Sequence, residues 1–259
     1  MFELRPYLIG LAAMCALAVL TWLVSLAKRD VSIVDSLWSM LILAGAVVYF
    51  LSGPRSERAV LTIVAVSIWA ARLAIYITAR NWGKEEDRRY QAIRKRNEPY
   101  FALKSLYIVF LFQALLAWVV SLPLLAAANS HTALTIVDYV GAALTLFGLL
   151  FEAIGDWQLA QFKAEPSNRG KVMDRGLWRY TRHPNYFGEA CVWWGFYLIA
   201  LAAGGWWSLL GPLLMTLLLL KVSGVALLEK DLLTRRPEYA AYIEQTNAFF
   251  PGPRKHKKA

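Results

Sequence analysis

Apolar residues fill this chain in long continuous runs. Seven stand out, at 7–27, 31–51, 59–79, 105–128, 135–159, 186–203 and 206–228. A helix that crosses a bilayer needs roughly 20 predominantly apolar residues, and these runs match or approach that length. The alternation of apolar and polar positions that marks a membrane barrel is absent from them. The expected fold is an all-α integral membrane protein with seven transmembrane helices. No Pro/Gly/Ser-rich linker, internal repeat or low-complexity stretch divides the sequence, so a single membrane domain over 1–259 is expected. Ser25-Leu26-Ala27 resembles a signal-peptide cleavage site. The first apolar run is longer than the usual ~7–15 residues of a signal peptide, which favours a retained anchor.

Composition agrees with the pattern. Hydrophobic residues make up 58% of the 259 and charged residues 18%, against about 25% charged in soluble domains. A soluble core of this size could not hide so much apolar surface, and disordered chains are poor in it. Cys15 and Cys191 lie inside apolar runs without metal-ligand or redox spacing, and no metal site is expected.

The net charge of +10 then has to be located. With seven spans, alternate inter-span segments share a side. One side holds 23 of the 28 Lys and Arg, the other holds 3, and Arg72 and Lys221 lie within spans. Basic loops stay in the cytoplasm, which places the N-terminus outside and the C-terminus inside. Part of the surplus serves topology and attraction to anionic headgroups, and the tail Arg254-Lys255-His256-Lys257-Lys258 is expected to do only that. Membrane lipids are therefore expected partners. Nucleic acid is not, because the cations are not interleaved on a soluble module.

Ionisable groups within spans are costly and face a cavity or a partner. The second span carries Asp35, with Trp38 and Ser39 on the same helical face. The third carries Arg72, Tyr76 and Arg80 at intervals of four, with Trp69 three residues before Arg72. The fifth carries Glu152 and Asp156, beside Trp157 and Gln158, and the seventh carries Lys221 and Ser223, followed by Glu229. Pairing that fixes helix packing, such as Asp35 with Arg72, is one reading of these residues. A polar cavity open to the cytoplasm is the other. Tyr7 and Trp206-Trp207 read as interfacial anchors.

The densest chemistry follows the fifth span, at Asp174-Arg175-Gly176-Leu177-Trp178-Arg179-Tyr180-Thr181-Arg182-His183-Pro184-Asn185-Tyr186-Phe187-Gly188-Glu189. Pro184 suits the first turn of a helix, where exposed amides favour phosphate. Arg175, Arg179 and Arg182 offer guanidinium forks for phosphate oxygens. Asn185 can both donate to and accept from a carboxamide, and Glu189 lies four residues on.

This stretch resembles the membrane reductase superfamily that includes the steroid 5-alpha-reductases, and looks closest to its bacterial branch, the DUF1295 family. Asp156-Trp157 with Lys163, the Arg72 to Arg80 stripe with Glu86-Asp87-Arg88-Arg89-Tyr90, and Glu229…Pro237-Glu238-Tyr239…Tyr242…Phe249-Phe250-Pro251 extend the resemblance over roughly 69–251. It implies a seven-helix enzyme that uses NADPH to reduce a carbon–carbon double bond conjugated to a ketone in a lipophilic, steroid-like or other enone substrate. It also implies a bacterial inner membrane, with the cofactor on the cytoplasmic side, mainly at 152–189 with 72–90 and 221–251. Asn185, Tyr186 and Glu189 would hold the nicotinamide end. Glu152 and Asp156 would face the adenosine ribose or its surroundings, and Lys163, Arg179 and Arg182 the phosphates. Arg72, Arg80, His183 and Lys221 would complete the cofactor-binding set. No G-x-G-x-x-G follows a strand, so the dinucleotide site is not of the Rossmann type.

The Gln-Glu pair of the vertebrate steroid reductases has no counterpart in the second span, where Asp35 is the nearest acid. Trp69 stands where their assisting tyrosine does. The expected catalytic residues are Asp35, kept neutral by burial as a hydrogen-bond donor to the substrate oxygen, and Tyr76 as the alternative donor. Two other readings stay open. Isoprenylcysteine and phospholipid methyltransferases, which use S-adenosylmethionine, share a similar R-H-P-x-Y stretch and acidic-aromatic tail. A non-catalytic lipid-binding or transport protein is the third reading.

Overall fold

The computed structural model describes residues 2–222, 229 and 238–255, and all regular structure among them is helical. The helices are α1 (Leu4–Lys28), α2 (Ile33–Ser52), α3 (Glu57–Asn81), α4 (Arg88–Asn97), α5 (Phe101–Ser105), α6 (Phe112–Val120), α7 (Leu122–Ala128), α8 (Ile136–Ala164), α9 (Pro184–Ala202), α10 (Leu210–Leu217) and α11 (Tyr239–Gln245). A π-helical stretch, Leu106–Leu111, joins α5 to α6. Pro123 at the start of α7 breaks the expected 105–128 span, since proline cannot donate to the preceding turn.

Five segments are long and apolar enough to cross a membrane: Leu4–Lys28, Ile33–Ser52, Glu57–Asn81, Phe101–Val120 and Ile136–Ala164. They match the first five expected spans. The sixth, α9, has 19 residues but is not among them. Its first two turns carry Pro184, Asn185 and Glu189, which dilute the apolar run. Trp206–Lys221 is apolar but shorter, and 223–228, the rest of the seventh expected span, lie outside the described residues, as do 230–237 and 256–259.

Contacts cluster into two compact units, one of Met1–Asp138 with Ile199–Gly211, the other of Tyr139–Leu198 with Pro212–Ala259. In the first unit α2 packs between α1 and α3, and α6 and α7 pack against these helices. Tyr7 is buried and stacks on Trp118 with centroids 4.0 Å apart. The Trp118 indole donates to the Tyr7 carbonyl at 2.8 Å. Tyr7 is therefore a core residue and not the expected surface anchor. Trp206 is 71% exposed, as an anchor should be.

The most deeply buried charge in this unit is Arg58, in the first turn of α3, fully enclosed with Asp138 of α8. Its Nε donates to Asp138 Oδ1 at 2.7 Å and Nη2 to Oδ2 at 2.9 Å. The remaining donors reach the Ser130 hydroxyl at 2.6 Å, the Thr132 carbonyl at 3.1 Å and hydroxyl at 2.7 Å, and the Ala133 carbonyl at 2.9 Å. One guanidinium thus ties the start of α3 to the whole 130–138 turn.

The second unit is built on the pairing of α8 with α9, which small residues let come close. A β-carbon at Gly148 would lie 2.5 Å from the Gly188 carbonyl oxygen, and one at Gly188 would lie 2.6 Å from the Gly148 carbonyl oxygen. No larger residue fits either position without separating the helices.

Breaking a buried pair leaves one charge uncompensated, at a cost of about 3–5 kcal/mol. Arg58→Met alone and Asp138→Leu alone should each lower unfolding stability in detergent by that order. The double variant should recover most of the loss. Equal losses in the single and double variants would show that the pair is not the source.

Candidate functional site

Polar groups of the second unit gather where α9 begins against α8. Glu152 and Asp156, four residues apart on α8, are each 3% exposed, and Glu189 on α9 is 4% exposed. The helices can approach there because Gly155 faces Pro184, whose ring carbons would lie 3.2–3.3 Å from a β-carbon at that glycine. Asn185 follows, and its Nδ2 donates to Asp156 Oδ1 at 3.3 Å. The Asn185 Oδ1 is buried and has no hydrogen-bond partner among the described residues. Glu189 Oε1 accepts from the Trp193 indole at 3.1 Å. The structure thus brings Asn185 and Asp156 together and buries Glu152 and Glu189 on the same helix pair.

The preceding loop is held by contacts that the sequence did not reveal. Gly176 turns at a φ of +57°, which starts a short 3-10 turn at Gly176–Arg179. The Leu177 amide donates to Gln158 Oε1 at 2.9 Å, and the Trp178 indole to the Gly155 carbonyl at 2.9 Å. The tail then closes over the loop. Thr181 and Asn247 form an isolated parallel bridge, with the Arg182 amide on the Asn247 carbonyl at 2.9 Å. The Thr181 hydroxyl donates to the Phe249 carbonyl at 2.8 Å, the Gly252 amide to the Tyr180 carbonyl at 3.0 Å, and the Tyr242 hydroxyl to the Trp178 carbonyl.

Arg182 and His183 differ from the expectation. Arg182 is 7% exposed. Its Nε donates to Glu229 Oε1 at 2.7 Å and Nη2 to Oε2 at 3.1 Å, while Nη1 reaches the Ile243 carbonyl at 3.1 Å and the Thr246 carbonyl. The His183 Nε2 lies 2.9 Å from Glu229 Oε1, and its ring is parallel to that of Tyr186, 5.4 Å away. A guanidinium so fully engaged holds the tail and has little left for a phosphate. The cations that reach the surface between α8 and α9 are Lys163, in the last turn of α8, and Arg169, Lys171, Arg175 and Arg179 on the loop. Lys221 lies exposed in the π-helical turn Leu218–Val222, and Ser223 lies outside the described residues.

Glu229 is the residue that motif reading undervalued. Burial works against its charge, yet the His183 and Arg182 hydrogen bonds and the positive charge beside it outweigh that and hold its carboxyl below the usual range. Its signals in the sequence were an acid at the end of an apolar run and a place at the head of the Glu229 to Pro251 tail pattern, with no hint of the residue it meets.

In the first unit, Asp35 sits in the first turn of α2. Its Oδ2 accepts from Arg89 Nη2 at 2.7 Å and its Oδ1 from the Tyr90 hydroxyl at 2.7 Å. Both oxygens are acceptors, one of them from a cation, so this geometry does not suit the expected neutral donor. Burial works against the Arg89 charge, but Asp35 first and Asp87 next more than offset it, and the guanidinium holds its proton more firmly than usual. Arg72, Tyr76 and Arg80 keep their four-residue stripe on α3, with the Arg80 guanidinium 5.8 Å from the Tyr76 ring centre. Trp69 is fully buried. Glu86 accepts from the Val31 amide at 3.0 Å and from Arg94 at 2.7 and 3.0 Å, which fastens the loop after α3 to the start of α2.

These features define an all-helical protein with several helices of membrane-spanning length and a buried polar cluster at one helix pair. The chain belongs to the family described as "Protein of unknown function (DUF1295)", which it matches over residues 21–246. The match begins well before residue 69, so it takes in α2 as well as the motif region. A protein of Schizosaccharomyces pombe described as uncharacterized is 26% identical over 287 aligned residues, covering 96% of this chain and 81% of the yeast protein. No solved structure matches.

Because the folded state lowers the Glu229 carboxyl, its stabilising contribution is complete above the ordinary carboxylate value of about 4.3. That contribution is lost as pH falls through the lowered folded-state value. Glu229→Gln should lower stability at pH 7 by about 3 kcal/mol and flatten the acid limb of a pH–stability curve. An unchanged acid limb would show that Glu229 does not carry this linkage.

Proposed function

We propose that this chain is a membrane reductase that uses NADPH to saturate a carbon–carbon double bond conjugated to a ketone in a lipophilic substrate. In this reading the N-terminus lies outside and the C-terminus in the cytoplasm of a bacterial inner membrane. The observation that carries it is the Asn185 side chain. A buried amide oxygen without a partner costs about 1–3 kcal/mol. Its surroundings, one carboxylate on the neighbouring amide nitrogen and two more buried acids nearby, suit an incoming carboxamide N–H. A nicotinamide supplies that group, so the residues present fit the cofactor.

Asn185 would receive the carboxamide, with Glu189 and Tyr186 beside it, and Glu152 and Asp156 would face the ribose. Lys163 and Arg179, with Arg175, are the exposed cations we assign to the phosphates, while Arg182 and His183 act by holding the tail through Glu229. When bound, NADPH supplies the hydride. Tyr76 is the donor we assign to the substrate oxygen, where negative charge develops. Asp35 acts as a positioning residue through Arg89 and Tyr90. Arg72, Arg80 and Lys221 remain assigned to the cofactor on the resemblance alone.

A ligand selective for the native state stabilises it, by about 2.7 kcal/mol at 100 times Kd. Thermal unfolding in detergent should shift upward with NADPH, and Asn185→Ala and Glu189→Ala should each abolish the shift while leaving unliganded unfolding within a few degrees. A shift with S-adenosylmethionine and none with NADPH would make the protein a methyltransferase instead. A retained NADPH shift in both variants would overturn the site.

Tyr76→Phe should reduce NADPH oxidation in the presence of a 3-oxo-Δ4 steroid or other lipophilic enone by 100-fold or more, the usual scale for losing one donor to a developing oxyanion. Asp35→Asn should reduce it less. Near-wild-type rates in both variants would remove these two residues from the reaction.

A further inference from the structure

The C-terminal end of α3 combines two features that the proposed reduction does not use. The first is a shallow, wide-open apolar groove lined by Ala74, Ile75, Thr78, Ala79 and Trp82. All five lie on one face of the helix, and all are apolar except for the Thr78 hydroxyl and the indole nitrogen. Ile75 is 69% exposed and Trp82 78% exposed. An exposed apolar face ending in a tryptophan marks the level where acyl chains give way to headgroups.

The second feature lies just past Trp82. The Lys84 ammonium donates to the Arg80 carbonyl and so folds back on the last turn of α3. Arg88, exposed, opens α4. The acids that could neutralise this stretch are largely engaged: Glu86 with Arg94, and Asp87 with Arg89. Burial opposes the charge on each, yet these arginines keep both carboxyls below the usual range, so both pairs stay charged at neutral pH. The exposed charges of 82–98 are the cations Lys84, Arg88, Lys95 and Arg96 and the acids Glu85 and Glu98.

An apolar groove with cations at its polar end is complementary to one kind of molecule, an amphiphile with a hydrocarbon tail and an anionic head. We propose that this surface binds an anionic phospholipid of the surrounding bilayer, one acyl chain in the α3 groove and the phosphate between Lys84 and Arg88. A guanidinium gives a phosphate paired hydrogen bonds that a zwitterionic headgroup, carrying its own cation, contests. The groove favours lipid over free phosphate, because the tail contributes burial that a soluble anion lacks.

Native mass spectrometry of the detergent-purified full chain, without NADPH, tests this independently of the reductase reading. Phosphatidylglycerol should be retained at least tenfold more tightly than phosphatidylcholine of the same chains, and glycerol phosphate should not be retained. Lys84→Gln with Arg88→Gln should reduce phosphatidylglycerol to the phosphatidylcholine level. Ala79→Trp, which fills the groove, should weaken both lipids. Lys95→Gln with Arg96→Gln, on the outward face of α4, should change the ratio by less than twofold. Thermal unfolding of each variant in detergent confirms that it is folded. Equal retention of the two lipids, retention of glycerol phosphate, or an equal loss of preference in the two double variants would overturn the site.

Discussion

A charge removed from water must be matched by an opposite charge and by hydrogen bonds for its remaining donors, or it destabilises the fold by several kcal/mol. In a chain as apolar as this one, that requirement decides how its loops close. Arg58 meets it with Asp138 and the 130–138 turn and Arg182 with Glu229 and two tail carbonyls, while the half-buried Arg89 is held by Asp35 and Asp87. Each time the cation is an arginine, whose planar fork satisfies two carboxylate oxygens at once. Each time the pair ties a helix end to a loop or tail distant in sequence.

This requirement also separates architecture from chemistry within the motif at 174–189. Arg182 and His183 are the residues that most invite a catalytic or phosphate-binding reading, yet the fold engages both through Glu229. Once the tail is anchored, Thr181, Tyr180 and Trp178 hydrogen-bond to its backbone and to Tyr242, and the loop is held where α9 starts. Asn185 and Glu189, one and five residues beyond Pro184, then stand on a helix whose entry is fixed from both sides. A ligand site needs such support, because small displacements of its polar groups weaken every contact they make.

The family match covers the first unit as well as the motif, and the first unit has a polar network of its own. Asp35, Arg89, Asp87, Tyr90 and Gln113 form a connected set. Ser32 and Glu86 bind the same loop to the start of α2. The loop after α3 is thereby held in place although it carries no regular structure before α4.

The sequence by itself determined the elements. Continuous apolar runs of span length admit only helices in hydrocarbon, since every backbone group must be satisfied within its own segment. Four of the first five runs accordingly reappear as single helices close to their expected limits, and the fourth is broken before Pro123. Local spacing also showed that Glu152 and Asp156 share a face, and that Pro184 begins a helix. What it could not show was partnership. Asp35 could have faced Arg72, a substrate or water, and only the folded chain placed Arg89 and Tyr90 on its two oxygens. Glu229 lies more than 40 residues from Arg182, and no periodicity connects them. Tyr7 looked like an anchor because its position near a span end is visible, whereas Trp118, which buries it, is more than 100 residues away. Local propensity acts over a few residues and so can be read from the chain. The cost of an unmatched charge or amide is settled by whatever the tertiary fold brings within about 3 Å.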